Sequence, residues 1–190
     1  MSKPYSLNIS DTGIAEMIFN KPPVNAFDSA GWFAIANEIE ALGKNDAVRV
    51  IIIAAEGKGF CAGVDIKELQ ADASKITAVN KGNYDTFKAI HRNEKPVIVA
   101  VHGFVLGGGI GISGAADIIV ASDCATFAVP EVDRGAMGGG AHLQRMFPVQ
   151  KVRYMYFTGE GIDAQEAYRL GAAERVVPRD QLLDTAREMA

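Results

Sequence analysis

Two β-branched apolar runs, Val48 to Ala54 and Pro96 to Val101, each lead straight into a segment built on glycine. The first segment is Gly59-Phe60-Cys61-Ala62-Gly63-Val64-Asp65. The second is Gly103-Phe104-Val105-Leu106-Gly107-Gly108-Gly109-Ile110-Gly111. Short unbroken apolar runs of this kind read as buried strands. A third, Asp117 to Ala121, follows the second segment. Strands of this type alternating with helical patterns define an α/β domain, in which loops at strand ends carry function.

The rest of the chain fits that alternation. Ser6 to Ile9 and Ala15 to Phe19 flank Asp11-Thr12-Gly13 and predict a β-hairpin. Asp28 is positioned to cap a helix in which Trp32, Ile35, Ile39 and Leu42 share one face and Gly43 marks the stop. A helix begins at Ile66. Residues 71–81 carry no clear pattern and are read as a loop. Tyr84, Phe87 and His91 recur at helical spacing, in a helix ending near Asn93. Another helix must start near Gly108 and end by Ala116. A short strand, Ala125 to Phe127, leads to Pro130-Glu131 and on to Gly138-Gly139-Gly140. Asp163 and Glu166 form a capping pair with Gly171 at the stop. Val176-Val177 is a strand, and Gln181 to Met189 a final helix. No linker divides the chain, so residues 1–190 are read as one domain.

Composition narrows the function. The chain is 48% hydrophobic and 22% charged, enough for a packed core rather than disorder. A net charge of −4 gives no general pull toward nucleic acid or an anionic membrane. Cys61 and Cys124 need no disulfide framework, so a reducing cytoplasm is expected. The first residues lack the apolar stretch of a secretory signal, and no run is long enough to span a membrane. No His/Cys/Asp spacing suggests a metal.

The chemistry lies in the glycine segments. Small residues let a ligand touch main chain, so N–H groups from two loops can be aimed at one oxygen. Two such donors make an oxyanion hole, which stabilises a carbonyl as it gains negative charge. The first N–H groups of the helix after Gly108 lack intrahelical partners, and the helix dipole adds partial positive charge there. Glu131 is the nearest candidate base, because burial beside an acyl chain would raise its pKa. Asp133 and His142 are weaker candidates; His142 falls among small and apolar residues and reads first as a structural histidine. Gly109-x-Gly111-x-x-Gly114 matches a dinucleotide fingerprint, but Asp117 starts a strand where the crossover helix should continue. Ser113 sits inside a helix rather than at the tip of a nucleophile elbow. Cys61 has no basic partner and reads as a small wall residue.

At this point the residues resemble the enoyl-CoA hydratase/isomerase (crotonase) superfamily. Pro23-Val24-Asn25-Ala26, Gly59 to Ile66, Lys95 to Ile98, Gly103 to Gly109, Asp117 to Ala121 and Phe127 to Glu131 carry the resemblance over nearly the whole chain. It implies a spiral of ββα units, a homotrimer or hexamer, and an acyl-CoA substrate without a separate cofactor. By position, the N–H groups of Val64 and Gly108 would hold the thioester oxygen, and Ala26, Ala62, Asp65 and Ile66 would lie along the coenzyme A. It also implies a further helical region beyond Ala190.

One departure shapes the expected reaction. Hydratases of this family resemble one another in carrying two glutamates. Glu131 matches the second, but Gly111 stands where the first should be. The missing side chain is expected to leave room in the pocket. Together with the stretch Pro130-Glu131-Val132-Asp133-Arg134-Gly135 and His142, this is most similar to ring-opening hydrolases of bacterial steroid degradation, which cleave a carbon–carbon bond in a cyclic diketone carried on coenzyme A. A hydratase or isomerase using Glu131 alone, and a non-catalytic acyl-CoA-binding protein, are the alternatives.

Overall fold

The computed structural model describes residues 3–134 and 138–190; Gly135 of the resemblance motif lies outside them. Tyr5–Ile9 (β1) and Ile14–Phe19 (β2) form the expected antiparallel hairpin, with Tyr5 opposite Phe19. Ala26–Phe27 (β3) precedes Ser29–Gly43 (α1), and the Asp28 carboxylate accepts the Gly31 N–H at 2.8 Å. Trp32, Ile35, Ile39 and Leu42 are all buried, as their spacing predicts.

Three units then repeat one theme. Val50–Ala55 (β4) is followed by Gly63–Val64 (β5), Ile66–Ala71 (α2) and Ile76–His91 (α3). Val97–Val101 (β6) is followed by Phe104–Leu106 (β7) and Gly108–Ala115 (α4). Ile118–Ser122 (β8) is followed by Thr126–Ala128 (β9), a 3-10 turn over Pro130–Arg134, Gly140–Met146 (α5) and Val149–Thr158 (α6). Ile162–Asp163 (β10), Ala164–Arg169 (α7), Arg175–Val177 (β11) and Leu182–Met189 (α8) complete the chain.

The long strand of each unit joins a six-stranded sheet in the order β1-β2-β4-β6-β8-β11, parallel from β2 onward. The short strands form a second layer: β3 pairs with β5, β7 with β9, and β9 with β10. A bridge between Cys61 and Val105 links the two halves of that layer. This is the ββα spiral that the family resemblance implied.

Both faces of the main sheet are covered, which explains the continuous β-branched runs. In β4, Ile51, Ile53 and Ala55 join the larger core, while Val50, Ile52 and Ala54 pack with Leu182 and Ala186 of α8. Among the described residues no helix is long and apolar enough to cross a membrane.

Two expectations change. Residues 71–81 do not form a loop: a 3-10 turn over Ala73–Lys75 leads into α3 at Ile76. Asp72 stops α2 and caps that turn, accepting the Ser74 N–H at 3.0 Å. The buried face of α3 is Val79, Gly82, Thr86 and Ile90, not the face holding Tyr84 and His91, and Tyr84 is 60% exposed. Gly82 lets α3 close on Trp32, whose Cβ is 2.7 Å from where a side chain would begin, and Thr86 Oγ1 donates to the Trp32 carbonyl at 3.0 Å. A glycine and a threonine mark that interface, so apolar periodicity alone misses it.

Gly103 is a structural key. It has φ +55°, and a Cβ there would overlap the Lys58 carbonyl. Gly103→Ala is expected to cost about 2–4 kcal/mol, from backbone strain plus forced movement of a buried turn, measurable as a lower denaturation midpoint at unchanged slope.

Candidate active site

The two glycine segments run beside each other because strand ends of neighbouring units adjoin. The Phe60 N–H donates to the carbonyls of His102 (2.9 Å) and Phe104 (3.1 Å), and the Leu106 N–H donates to the Cys61 carbonyl at 2.9 Å. On the other side the Ala62 N–H reaches Val24 O (3.1 Å) and the Asp65 N–H reaches Phe27 O (2.9 Å). Neighbouring residues of an extended strand send their N–H groups to opposite sides. Residues 62 and 65 are an odd step apart, so strict alternation cannot serve both. Gly63, at φ +94°, breaks the pattern. Val64 follows that break directly, and the turn at Gly63 lies against the segment that opens α4.

The approach is close. A Cβ on Gly63 would lie 2.9 Å from the Gly108 nitrogen, and one on Gly108 would lie 3.2 Å from the Gly63 Cα. Gly107, at φ +49°, turns the chain into α4 without a side-chain cap. The N–H groups of the first helical turn therefore have no intrahelical acceptor.

Glu131 meets the same point. The 3-10 turn after β9 carries its carboxylate over Gly107, with Oε1 3.0 Å from where a Cβ on that glycine would sit. Oε2 is buried and has no hydrogen-bond partner among the described residues. Burial raises its pKa above the ordinary carboxylate value, opposed in part by a backbone N–H. Tyr156 of α6 stands within reach of its field: burial first, then the Glu131 charge, push the phenol pKa upward. A groove of about 480 Å³, lined in part by Gly139, Gly140, Tyr156 and Phe157, opens beside that tyrosine.

The other predicted residues separate. Ala26 pairs with Gly63 across β3 and β5, Asp65 caps α2 by accepting the Lys67 N–H at 3.1 Å, and Ile66 is 54% exposed. With the half-buried Ala62 they border the Val64 turn. Asp133 is exposed and faces elsewhere, its Oδ2 3.2 Å from the Cβ position of Gly159 at the end of α6. His142 is half-buried with its ring on Phe87, centroids 4.8 Å apart, and its Nδ1 3.4 Å from Arg145. Burial, then the charges of Arg145 and His91, hold its pKa down at about 4, so it is neutral at neutral pH. Cys61 is fully buried and its thiol is pushed up to about 12, in keeping with a wall residue. Ser113 donates to the Gly109 carbonyl at 2.9 Å and is a packing residue.

Gly111 corrects an expectation. The space beside it is filled, not open: a Cβ there would overlap the Phe87 ring. Phe87 and Tyr156 are the site neighbours that sequence reasoning missed. The spacing of Gly108, Gly111 and Gly114, every third residue of one helix, was the available signal. A helix face bare of side chains must receive bulk from elsewhere.

Two backbone turns in contact, with one desolvated carboxylate above them in a ββα spiral, define a class that works on acyl groups. The enoyl-CoA hydratase/isomerase family model matches residues 10–190, and the chain belongs to that family. Among curated relatives, two proteins named (7aS)-7a-methyl-1,5-dioxo-2,3,5,6,7,7a-hexahydro-1H-indene-carboxyl-CoA hydrolase are similar. That of Rhodococcus jostii is 47% identical over 94% of this chain and 70% of the relative, and that of Mycobacterium tuberculosis 42% over 98% and 76%. The carnitinyl-CoA dehydratase of Proteus mirabilis is 35% identical over 97% and 73%. The crystal structure of an enoyl-CoA hydratase from Mycobacterium smegmatis superposes with a TM-score of 0.93 at 30% identity, covering 99% of this chain and 75% of that one.

Proposed function

We propose that this protein hydrolyses a carbon–carbon bond in a bulky cyclic acyl-CoA, opening its ring. The observation that carries the reading is Glu131: one half-buried carboxylate, its Oε2 buried and without a hydrogen-bond partner among the described residues, beside the Gly63–Gly108 contact, while position 111 offers no second carboxylate. In this reading Glu131 takes a proton from water as the water oxygen bonds to a ring ketone carbon β to the thioester carbonyl. The resulting alkoxide collapses to a carboxyl group, and the bond to the α-carbon breaks. Its electron pair passes into the thioester as an enolate. The N–H groups of Val64 and Gly108 hold the enolate oxygen, each worth about 3 kcal/mol in the transition state. Protonation of the α-carbon completes the addition of one water. Coenzyme A enters as part of the substrate, and no separate cofactor is required by any of these steps. Ala26, Ala62, Asp65 and Ile66 border its path. The names of the two indene-carboxyl-CoA hydrolase relatives support the ring-opening step; a homotrimer or hexamer in a bacterial cytoplasm, acting in steroid degradation, completes the proposal.

A hydratase or isomerase using Glu131 alone is the second reading, favoured by the dehydratase and hydratase relatives. The test compares a bicyclic β-keto acyl-CoA with crotonyl-CoA. The expected outcome is a product heavier by one water, with a new carboxylate, from the first, and little loss of conjugated enoyl absorbance from the second. Rapid hydration of crotonyl-CoA with no ring opening would transfer the assignment to the second reading.

A further inference from the structure

Three aromatic rings form a ladder along one face of α4. Trp32 and Phe87 meet edge to face with centroids 6.0 Å apart, and Phe87 and His142 do so at 4.8 Å. Two of the rings lie against glycines of α4, and the third residue meets another through its main chain. Trp32 Cη2 is 2.6 Å from the Cβ position of Gly108, the Phe87 ring covers Gly111, and the His142 carbonyl group and Cβ cover Gly114. Residues three apart share a helix face, so the rungs follow one line. Trp32 is fully buried, whereas Phe87 and His142 are half-buried. The ladder thus leaves the core at Phe87. That ring stands one helical turn beyond Gly107, the residue over which the Glu131 carboxylate lies.

We propose that Phe87 determines acyl specificity, its ring standing where a side chain at position 111 would begin and forming a flat, fixed wall for an alicyclic acyl group. The inference rests on the acyl-CoA reading above and deepens it. Trp32 on one side, His142 on the other and the bare face of α4 beneath hold the ring in place. A wall that is already ordered loses little freedom when a ligand settles on it. A saturated ring has breadth to cover an aromatic face, and a straight four-carbon chain does not. A carboxylate at 111 would instead be desolvated by such a ring, at a cost the apolar wall avoids.

The test uses the full-length protein and measures dissociation constants for two probes, cyclohexanecarboxyl-CoA and butyryl-CoA. Phe87→Ala is expected to weaken the ring ester about tenfold and the straight-chain ester less than about twofold. Equal weakening of both, or of neither, overturns the proposal. A wild-type protein that binds neither ester overturns the acyl-CoA reading itself, and the inference with it. Should Phe87→Ala fail to fold, Phe87→Leu is read by the same criterion, because it keeps bulk but loses the flat face. A double-mutant cycle checks the geometry by thermal denaturation: Gly111→Ala should lower the midpoint clearly in the wild-type background and much less with Phe87→Ala in place. Strictly additive effects would mean that residues 87 and 111 do not share the space, and would overturn the proposal.

Discussion

Replacing Glu131 with Gln is expected to lower turnover by about 10²- to 10⁴-fold, the span associated with losing a positioned acid–base group, while coenzyme A binding stays intact. The substitution is close to isosteric, so the 3-10 turn and its contact with Gly107 should persist. The pH behaviour gives a second readout. Burial is the main cause holding the Glu131 pKa above its ordinary value. A base works only when ionised, so activity should fall as pH drops through that raised value, above the usual carboxylate range, and the limb should vanish in the variant. The stability sign is opposite. A pKa raised in the folded state means the neutral form is the better-folded one, so this contribution is full at low pH and is lost as pH rises through the folded value. Glu131→Gln should therefore be at least as stable as wild type at neutral pH. A variant with unchanged turnover would remove Glu131 from the chemistry.

Gly63→Ala is expected to reduce turnover by about 10²-fold or more, the scale of losing one oxyanion donor. The added methyl would stand 2.9 Å from the Gly108 nitrogen, and alanine must also adopt φ +94°. Either the Val64 turn or the start of α4 has to give way, which would spoil the proposed convergence of the Val64 and Gly108 N–H groups. A positive-φ alanine costs about 1–3 kcal/mol, so the melting temperature should drop as well. The decisive comparison is with Gly57→Ala. Gly57 also has positive φ, +88°, but nothing lies within 4 Å of its Cβ position. It should lose similar stability from strain and little activity. If both variants lose activity in proportion to stability, the contact at Gly63 has no special catalytic weight.

Particular elements show how far residues alone carry the reading. Asp28, Asp163 and the β-branched runs act locally: a side-chain oxygen on an N–H three residues away, or branched side chains buried on both faces of a sheet. Such signals survive in a one-dimensional string. The α1–α3 contact does not, because it is written in Gly82 and Thr86 and becomes visible only when Trp32 stands opposite them. The short helices α5 and α6 escaped notice for a related reason: each buries only two of its residues, and too few apolar positions repeat to reveal a face.

The candidate site divides in the same way. Glycine spacing together with one acidic residue picked out the loops and the carboxylate that meet in the fold, because backbone exposure and a carboxylate are properties of residue type. Where Asp133 points, and what stands beside Gly111, depend on side chains distant along the chain, Gly159 and Phe87. The amino-acid string by itself determined the α/β alternation, the glycine turns and the acidic residue after them, since each follows from local conformational preference, burial and residue type; the spiral came from the family resemblance. Only the tertiary structure decided that Phe87 occupies the gap at 111 and that Asp133 turns from the site, since packing is a relation between surfaces that the order of residues does not encode.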